Sequence, residues 1–111
     1  GLINILNGGA GNDQLIGGLG DETYAFELGF GVDTIYEKGG NDTILFGKGI
    51  NVNDLLVNSS GKDLVINLQN GQDKITIKDW AVNDKHQVET IQFHTGERYV
   101  LTDLDQKLNF I

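Results

Sequence analysis

The sequence predicts an all-β fold, in which short strands coil around one core and antiparallel hairpins close it. Three observations carry that prediction. A nine-residue unit, Gly-Gly-x-Gly-x-Asp-x-apolar-x, runs in tandem through Gly8–Ala25, and a fixed period of this kind marks stacked strand repeats. Its reduced form, Gly-x-Asp-x-apolar, recurs at Gly31–Ile35, Gly40–Ile44, Gly61–Val65 and Gly71–Ile75. From Leu64 onward, apolar and polar residues alternate with period two, which reads as half-buried strands.

The unit has a physical logic. Its first copy, Gly8–Ile16, is complete; the second, Gly17–Ala25, has Glu22 in place of Asp and Tyr24 at the apolar position. Glycine at three of four successive positions lets the backbone curl tightly. A curled backbone aims several carbonyl oxygens at one point, and the carboxylate adds negative charge there. Calcium suits such a place, because it takes six to eight oxygen ligands in flexible geometry. The strand that follows turns one apolar residue inward, Leu15 and then Tyr24. If two units make one turn, loops on the same side recur every second unit, and a cation can be shared between stacked loops. A glycine-rich flexible linker is the plainer alternative, but a linker has no reason to keep Asp and apolar residues in phase.

The elements follow in order. Residues 1–7 read as the tail of an earlier unit, with Asn4 and Leu6 in the acidic and apolar positions, so the chain opens inside a repeat as a fragment would. Between Glu22 and Asp33 the spacing grows from nine residues to eleven, an insertion around Glu27-Leu28-Gly29. The units then continue through Phe46. Val52–Leu55 suits a single helical turn. Strands are expected around Leu64–Leu68 and Ile75–Ile77, joined at Gln69-Asn70-Gly71, where Asn-Gly favours a type I′ turn. Ser59-Ser60-Gly61 is the turn before them. Trp80 is expected to pack over the end of the sheet; an exposed stacking aromatic is the alternative. Val88-Glu89-Thr90-Ile91 is a fainter echo of the unit without its glycine. A hairpin of Glu89–Phe93 with Arg98–Leu101, turning at His94–Glu97, comes next. Thr102 has N-cap chemistry for a short helix over Asp103–Leu108.

Composition narrows the function. The chain has 111 residues, enough for one domain with a modest core, and a formal charge of −8 from 16 acids against 8 bases. That balance argues against nucleic acid or an anionic membrane surface as a direct partner. Eleven of the acids are Asp, the shorter carboxylate suited to loop-borne metal sites, and without a counter-cation such loops repel one another. Absence of Cys excludes disulfides, zinc-thiolate sites and thiol nucleophiles, so an extracellular protein of this size needs another staple, which bound calcium can supply. No run reads as a transmembrane span, and the opening residues do not read as a signal peptide.

The tandem units of Gly8–Ala25 resemble the repeats-in-toxin family of secreted bacterial proteins. Gly40–Gly47, Asn53-Asp54-Leu55, Lys62–Ile66, Ile75–Trp80 and Val88–Phe93, in that order, resemble the haemolysin-type calcium-binding-related domain that commonly follows such repeats. The resemblance implies a right-handed parallel β-roll with calcium between its turns over residues 1–46, capped by a β-rich region over 47–111. Carried over residue by residue, it implies one calcium site at Asp13 and Asp33 with carbonyls of Gly8, Ala10 and Gly31. A second would use Glu22 and Asp42 with carbonyls of Gly17, Leu19 and Gly40. Asn12 and Asp21 would add side-chain oxygens. The extra methylene of Glu22 is expected to move its carboxylate outward, and Asp63 and Asp73 are expected to be structural turn residues.

The function this implies is a non-catalytic, calcium-triggered folding module of a toxin, adhesin or exoenzyme, exported unfolded by a one-step channel as part of a longer parent chain. A binding module for polysaccharide or a host surface is the second reading, with Trp80, Tyr99 and Tyr36 as an aromatic platform. Catalysis is the third: His86-x-x-Glu89 and His94-x-x-Glu97 invite it, but no third ligand or nucleophile motif accompanies them. Thr23, Thr34 and Thr43 make too short a row for an ice-binding face.

Overall fold

The computed structural model describes residues 3–7, 9–82 and 87–101, the first three of these as backbone only. Its strands are β1 (Ile3–Leu6), β2 (Gln14–Ile16), β3 (Asp21–Phe26), β4 (Val32–Tyr36), β5 (Thr43–Phe46), β6 (Leu55–Ser60), β7 (Asp63–Leu68), β8 (Lys74–Ile77), β9 (Thr90–Gln92) and β10 (Arg98–Val100). A single 3-10 turn, Val52–Asp54, precedes β6. Asp54 closes that turn by accepting the Asn51 N–H at 2.8 Å. The expectation of an all-β chain holds for the described residues. The expected helix at Asp103–Leu108 lies outside them.

The strands form two five-stranded sheets, ordered β1-β3-β5-β9-β10 and β2-β4-β8-β7-β6. From β1 through β5 each strand is followed by a connection that sends the chain to the other sheet, so successive units alternate there. Within the first sheet β1, β3, β5 and β9 are parallel neighbours; within the second, β2, β4 and β8 are. β10 pairs antiparallel with β9, and β7 with both β8 and β6. Both sheets are therefore mixed, unlike a purely parallel stack. Connection length explains the mixture: strands joined directly by short turns pair antiparallel, whereas parallel partners need a longer crossover.

Register shows where the repeat loosens. Ile3 pairs with Asp21, but Gln14 pairs with Thr34 and Thr23 with Thr43, two residues further on in each case. The extra residues form the turn at Leu28-Gly29, within the insertion read from the spacing. They bring Phe30 into the core, its ring 4.9 Å from that of Phe26.

The core is built from inward rows. Tyr24, Ile44 and Ile91 are register partners across three parallel strands of the first sheet. Leu15, Ile35, Ile77 and Leu64 are their counterparts in the second. All are buried, and residues from both sheets join one apolar cluster. Trp80 belongs to this cluster and is buried. It is thus a packing residue, and the exposed alternative does not hold.

Two turn expectations change. β7 and β8 are joined by a longer turn in which Gly71 alone has positive φ, +73°; a type I′ turn needs two such residues. Asn70 instead accepts the N–H groups of Gln72 and Asp73 with its side chain, at 2.8 and 3.0 Å. Ser59 and Ser60 are strand residues at the end of β6, and the reversal is made by Gly61-Lys62.

Stacking of the loops leaves little space between turns. Gly31 has φ +88°, and a Cβ there would strike the Gly11 carbonyl of the loop one turn earlier. Gly9 also has positive φ, +71°, but a Cβ would meet nothing within 4 Å. Both alanine variants share the left-handed cost, about 1–2 kcal/mol. Gly31→Ala adds overpacking, typically about 1–3 kcal/mol, so its urea midpoint should fall clearly below that of Gly9→Ala. Equal midpoints would show that the loops do not stack this closely.

Candidate metal centre

The register of the parallel strands places equivalent loop positions side by side, and their carboxylates become rungs between turns. Asp33 Oδ1 accepts the Asp13 N–H at 2.8 Å. Asp42 Oδ1 accepts the Glu22 N–H at 2.6 Å, and Glu89 Oε1 accepts the Asp42 N–H at 2.7 Å. Asp73 accepts from Gly29 and Gly31, each at 2.9 Å. Two acidic spines result: Asp13, Asp33 and Asp73 along one edge, and Glu22, Asp42 and Glu89 along the other.

A single N–H satisfies only part of a carboxylate. Asp13 Oδ2, Asp33 Oδ2, Asp42 Oδ2 and both carboxylate oxygens of Glu22 are buried with no hydrogen-bond donor among the described residues. Buried charge without a partner is costly, and such groups either take up a proton or coordinate a cation. The donor set here is all oxygen and anionic, which fits a hard cation such as calcium.

The second spine gains a third carboxylate. Glu37, in the loop that leaves β4, comes from the opposite sheet. One oxygen each from Glu22, Glu37 and Asp42 lies within 4.8 Å of the others, and all three residues are buried. The Tyr24 hydroxyl donates to Glu37 Oε1 at 2.8 Å. Gly17 leaves the room for this meeting: a Cβ there would collide with the Tyr24 hydroxyl and the Glu37 carboxylate.

Electrostatics follow the burial. Desolvation pushes the Asp42 carboxyl up to about 8; the neighbouring carboxylates of Glu22 and Glu89 push the same way, against the N–H bond from Glu22. Burial likewise raises Asp33, with the charges of Asp13 and Asp73 adding to it. Burial, then the charges of Asp42, Glu22 and Glu89, hold the Tyr24 phenol above its usual range, so it remains a neutral donor. Asp73 differs: burial works to raise it, but hydrogen bonds from Gly31, Asn70 and Gly29 together hold it below the ordinary value.

The residues singled out from the sequence divide accordingly. Asp13 meets Asp33, and Glu22 meets Asp42. Glu22 is 2 % exposed, not displaced outward, because it occupies an inward position of β3 and its added length carries the carboxylate into the interior. Asn12 and Asp21 take another role: each accepts an N–H from the next turn, Val32 at 3.2 Å and Asn41 at 2.9 Å. Ala10 and Leu19 are exposed; Gly31 and Gly40 would each press a Cβ on a carbonyl of the preceding turn, Gly11 and Gly20. Gly8 lies outside the described residues. Asp63 pairs with Lys78 at 3.1 Å and accepts the Asp79 N–H at 2.9 Å; Asp73 accepts from Asn70 in its own turn and from Gly29 and Gly31 of the preceding turn, so it is more than the turn residue expected. His86 lies outside the described residues. His94 is exposed in the last hairpin, where Glu97 takes the Thr95 hydroxyl at 3.1 Å.

Glu37 is the residue sequence reasoning missed, and Glu89 was seen in a faint echo of the unit and in His86-x-x-Glu89, not as a rung of the spine. A signal for Glu37 existed. It stands twenty residues after Gly17, the offset of this part of the repeat, so it replaces a first-position glycine.

Residues 63–99, from the start of β7 into β10, match the family model of the haemolysin-type calcium binding protein related domain. The match takes in Asp73 and Glu89, the last rung of each acidic spine. It supports the resemblance drawn from the residues: this segment, 37 of the 111 residues, is similar to the haemolysin-type calcium binding protein related domain.

Proposed function

We propose that this chain is a non-catalytic calcium-binding module whose folding the ion completes. In this reading the parallel strands form a right-handed roll, residues 1–46 are its repeats, and residues 47–111 are its cap. Calcium sits along the two spines, at Asp13 with Asp33 and at Glu22 with Asp42. The module belongs to a secreted bacterial protein that leaves the cell unfolded and folds where calcium is plentiful. The observation that carries the reading is the set of buried carboxylate oxygens with no donor along both spines.

Extracellular calcium modules bind at about 0.1–1 mM. At millimolar calcium each site then adds about 1 kcal/mol to stability, and several sites together more. In the cytosol, with little calcium, the acidic loops repel and the fold stays loose. The test is circular dichroism and calorimetry on the chelated chain as calcium is added. Calcium should increase β-sheet signal and raise the melting temperature with concentration. A fold equally complete and equally stable in excess chelator would sink the reading.

A polysaccharide-binding face would need exposed aromatics. Trp80 is buried, and Tyr99 packs edge-on against Phe93 with ring centroids 5.8 Å apart. Both therefore weigh toward the folding module.

A further inference from the structure

We propose that Glu22, Glu37 and Asp42 form an interior cation site that ties the two sheets together, and that its ligand is a calcium-sized divalent ion. This rests on the calcium reading above but names a ligand outside the repeat pattern. Glu22 and Asp42 immediately precede the register partners Thr23 and Thr43 of the first sheet, and the Glu22 N–H donates to Asp42 Oδ1; Glu37 arrives from the end of a second-sheet strand.

Convergence of three acids does not by itself make a site. The second observation is Glu22. It is 2 % exposed, both its carboxylate oxygens lack a donor, and one of them lies within 4.8 Å of ligand oxygens on Glu37 and Asp42. Asp42 Oδ2 is likewise buried without a donor, while its Oδ1 is fixed by the Glu22 N–H at 2.6 Å. Tyr24 orients Glu37 through its hydroxyl. Glu22 and Asp42 thus keep buried carboxylate oxygens without a donor among the described residues, beside a Glu37 carboxylate that Tyr24 orients.

The two departures from the repeat explain each other. Glu22 stands where the unit expects Asp, and its extra methylene reaches inward. Glu37 stands where the unit expects its first glycine, and it enters the space that the missing side chain of Gly17 leaves.

Oxygen-only ligation selects a hard cation. Three carboxylates offer at least one oxygen each within 4.8 Å of the others, which suits calcium, a cation that takes oxygen ligands in flexible geometry. Magnesium demands near-ideal octahedral geometry and keeps several of its waters, which a buried site between two sheets does not accommodate.

Calcium binding is to be counted by equilibrium dialysis and titration calorimetry on the wild-type chain, Glu37→Gln and Gly17→Ala. Loss of an outer-shell partner alone weakens a metal site roughly 10–100-fold, so removing a ligand should weaken one site by about 100-fold or more. Glu37→Gln should therefore bind one ion fewer at millimolar calcium and leave the others unchanged. Its chelated form should melt above chelated wild type, because one buried carboxylate is gone. A merely structural glutamate would give the opposite shift. Gly17→Ala keeps every carboxylate, and should lose the same ion while melting lower. Should Glu37→Gln fail to fold, Glu37→Asp keeps the charge one methylene short and should show the weakened site. Unchanged ion number and affinity in the folded Glu37 variants would overturn the interior site while the calcium reading stands. A wild-type chain that binds no calcium would overturn both.

Discussion

Phe46→Ala is expected to cost about 3–5 kcal/mol, the usual range for truncating a buried phenylalanine. Phe46 ends β5 and is fully buried, with rings around it on several sides: Phe93 at 5.6 Å, Phe26 at 6.1 Å and Phe30 at 6.4 Å between centroids. Phe26 and Phe30 belong to the repeat part, and Phe93 follows β9. One cavity would therefore loosen both at once. Small domains are stable by only about 5–15 kcal/mol in total, so the loss takes a large share. Calcium cannot restore it at about 1 kcal/mol per site. Leu28→Ala is the control, since Leu28 is 56 % exposed and surface changes usually stay within about 0.5 kcal/mol. Urea unfolding in millimolar calcium measures both. A Phe46→Ala midpoint equal to that of Leu28→Ala would mean the aromatic row does not join the two parts.

Much of this architecture was legible because the repeat encodes it twice, in glycine and in charge. The offset between loops predicted which carboxylates meet, and Asp13 with Asp33 and Glu22 with Asp42 do. The two-residue insertion was visible as spacing and reappears as the turn at Leu28-Gly29. Hairpins in the second half could be read from alternation and glycine. The rest depends on side-chain direction, which spacing alone does not carry. Glu22 read as a lengthened loop ligand; only its inward position on β3 shows that the extra methylene points into the core. Glu37 went unread, because the residues it meets come from another sheet. Asn12 and Asp21 read as oxygen donors to an ion, yet stacking puts backbone N–H groups within their reach first. The turn at Asn70 shows the same competition: its side chain can accept two N–H groups, so its backbone need not adopt the left-handed form that the Asn-Gly pair suggested.

The spines tie these parts into one physical argument. Each rung satisfies a backbone N–H between turns, so the acids are part of the framework even without metal. At Asp33 and Asp42 the same rung leaves the carboxylate's other oxygen buried without a donor among the described residues. The repeat thus gains order and electrostatic strain from the same residues, and a cation relieves the strain without disturbing the order. That is why loss of charge and loss of the rung should have opposite consequences at one position.

Asp42 is where the two can be separated. Asp42→Asn keeps an oxygen for the Glu22 N–H and adds an NH2 group that can donate to the unsatisfied Glu22 carboxylate. It should raise the stability of the chelated chain and reduce the gain from calcium. Asp42→Ala removes the acceptor, strands the buried Glu22 N–H, and should cost about 1–3 kcal/mol. The pH dependence gives an independent check. The folded Asp42 carboxyl titrates near 8, against an ordinary value of 3.8. Its stabilising contribution in the metal-free chain is therefore fully present below about 4 and is lost as pH rises through about 8. Asp33, also raised, acts in the same direction. Asp63, held low first by the Asp79 N–H, and Asp73 act oppositely: their contributions are present above 3.8 and fade only as pH falls below it. Chelated wild type should thus melt higher at pH 6 than at pH 9, and Asp42→Asn should flatten that slope. Calcium ligands must be deprotonated, so the gain from calcium should instead grow with pH. Melting curves of both chains at pH 6 and pH 9, with chelator and with calcium, decide it; a slope in chelator that survives in Asp42→Asn would remove Asp42 as its source.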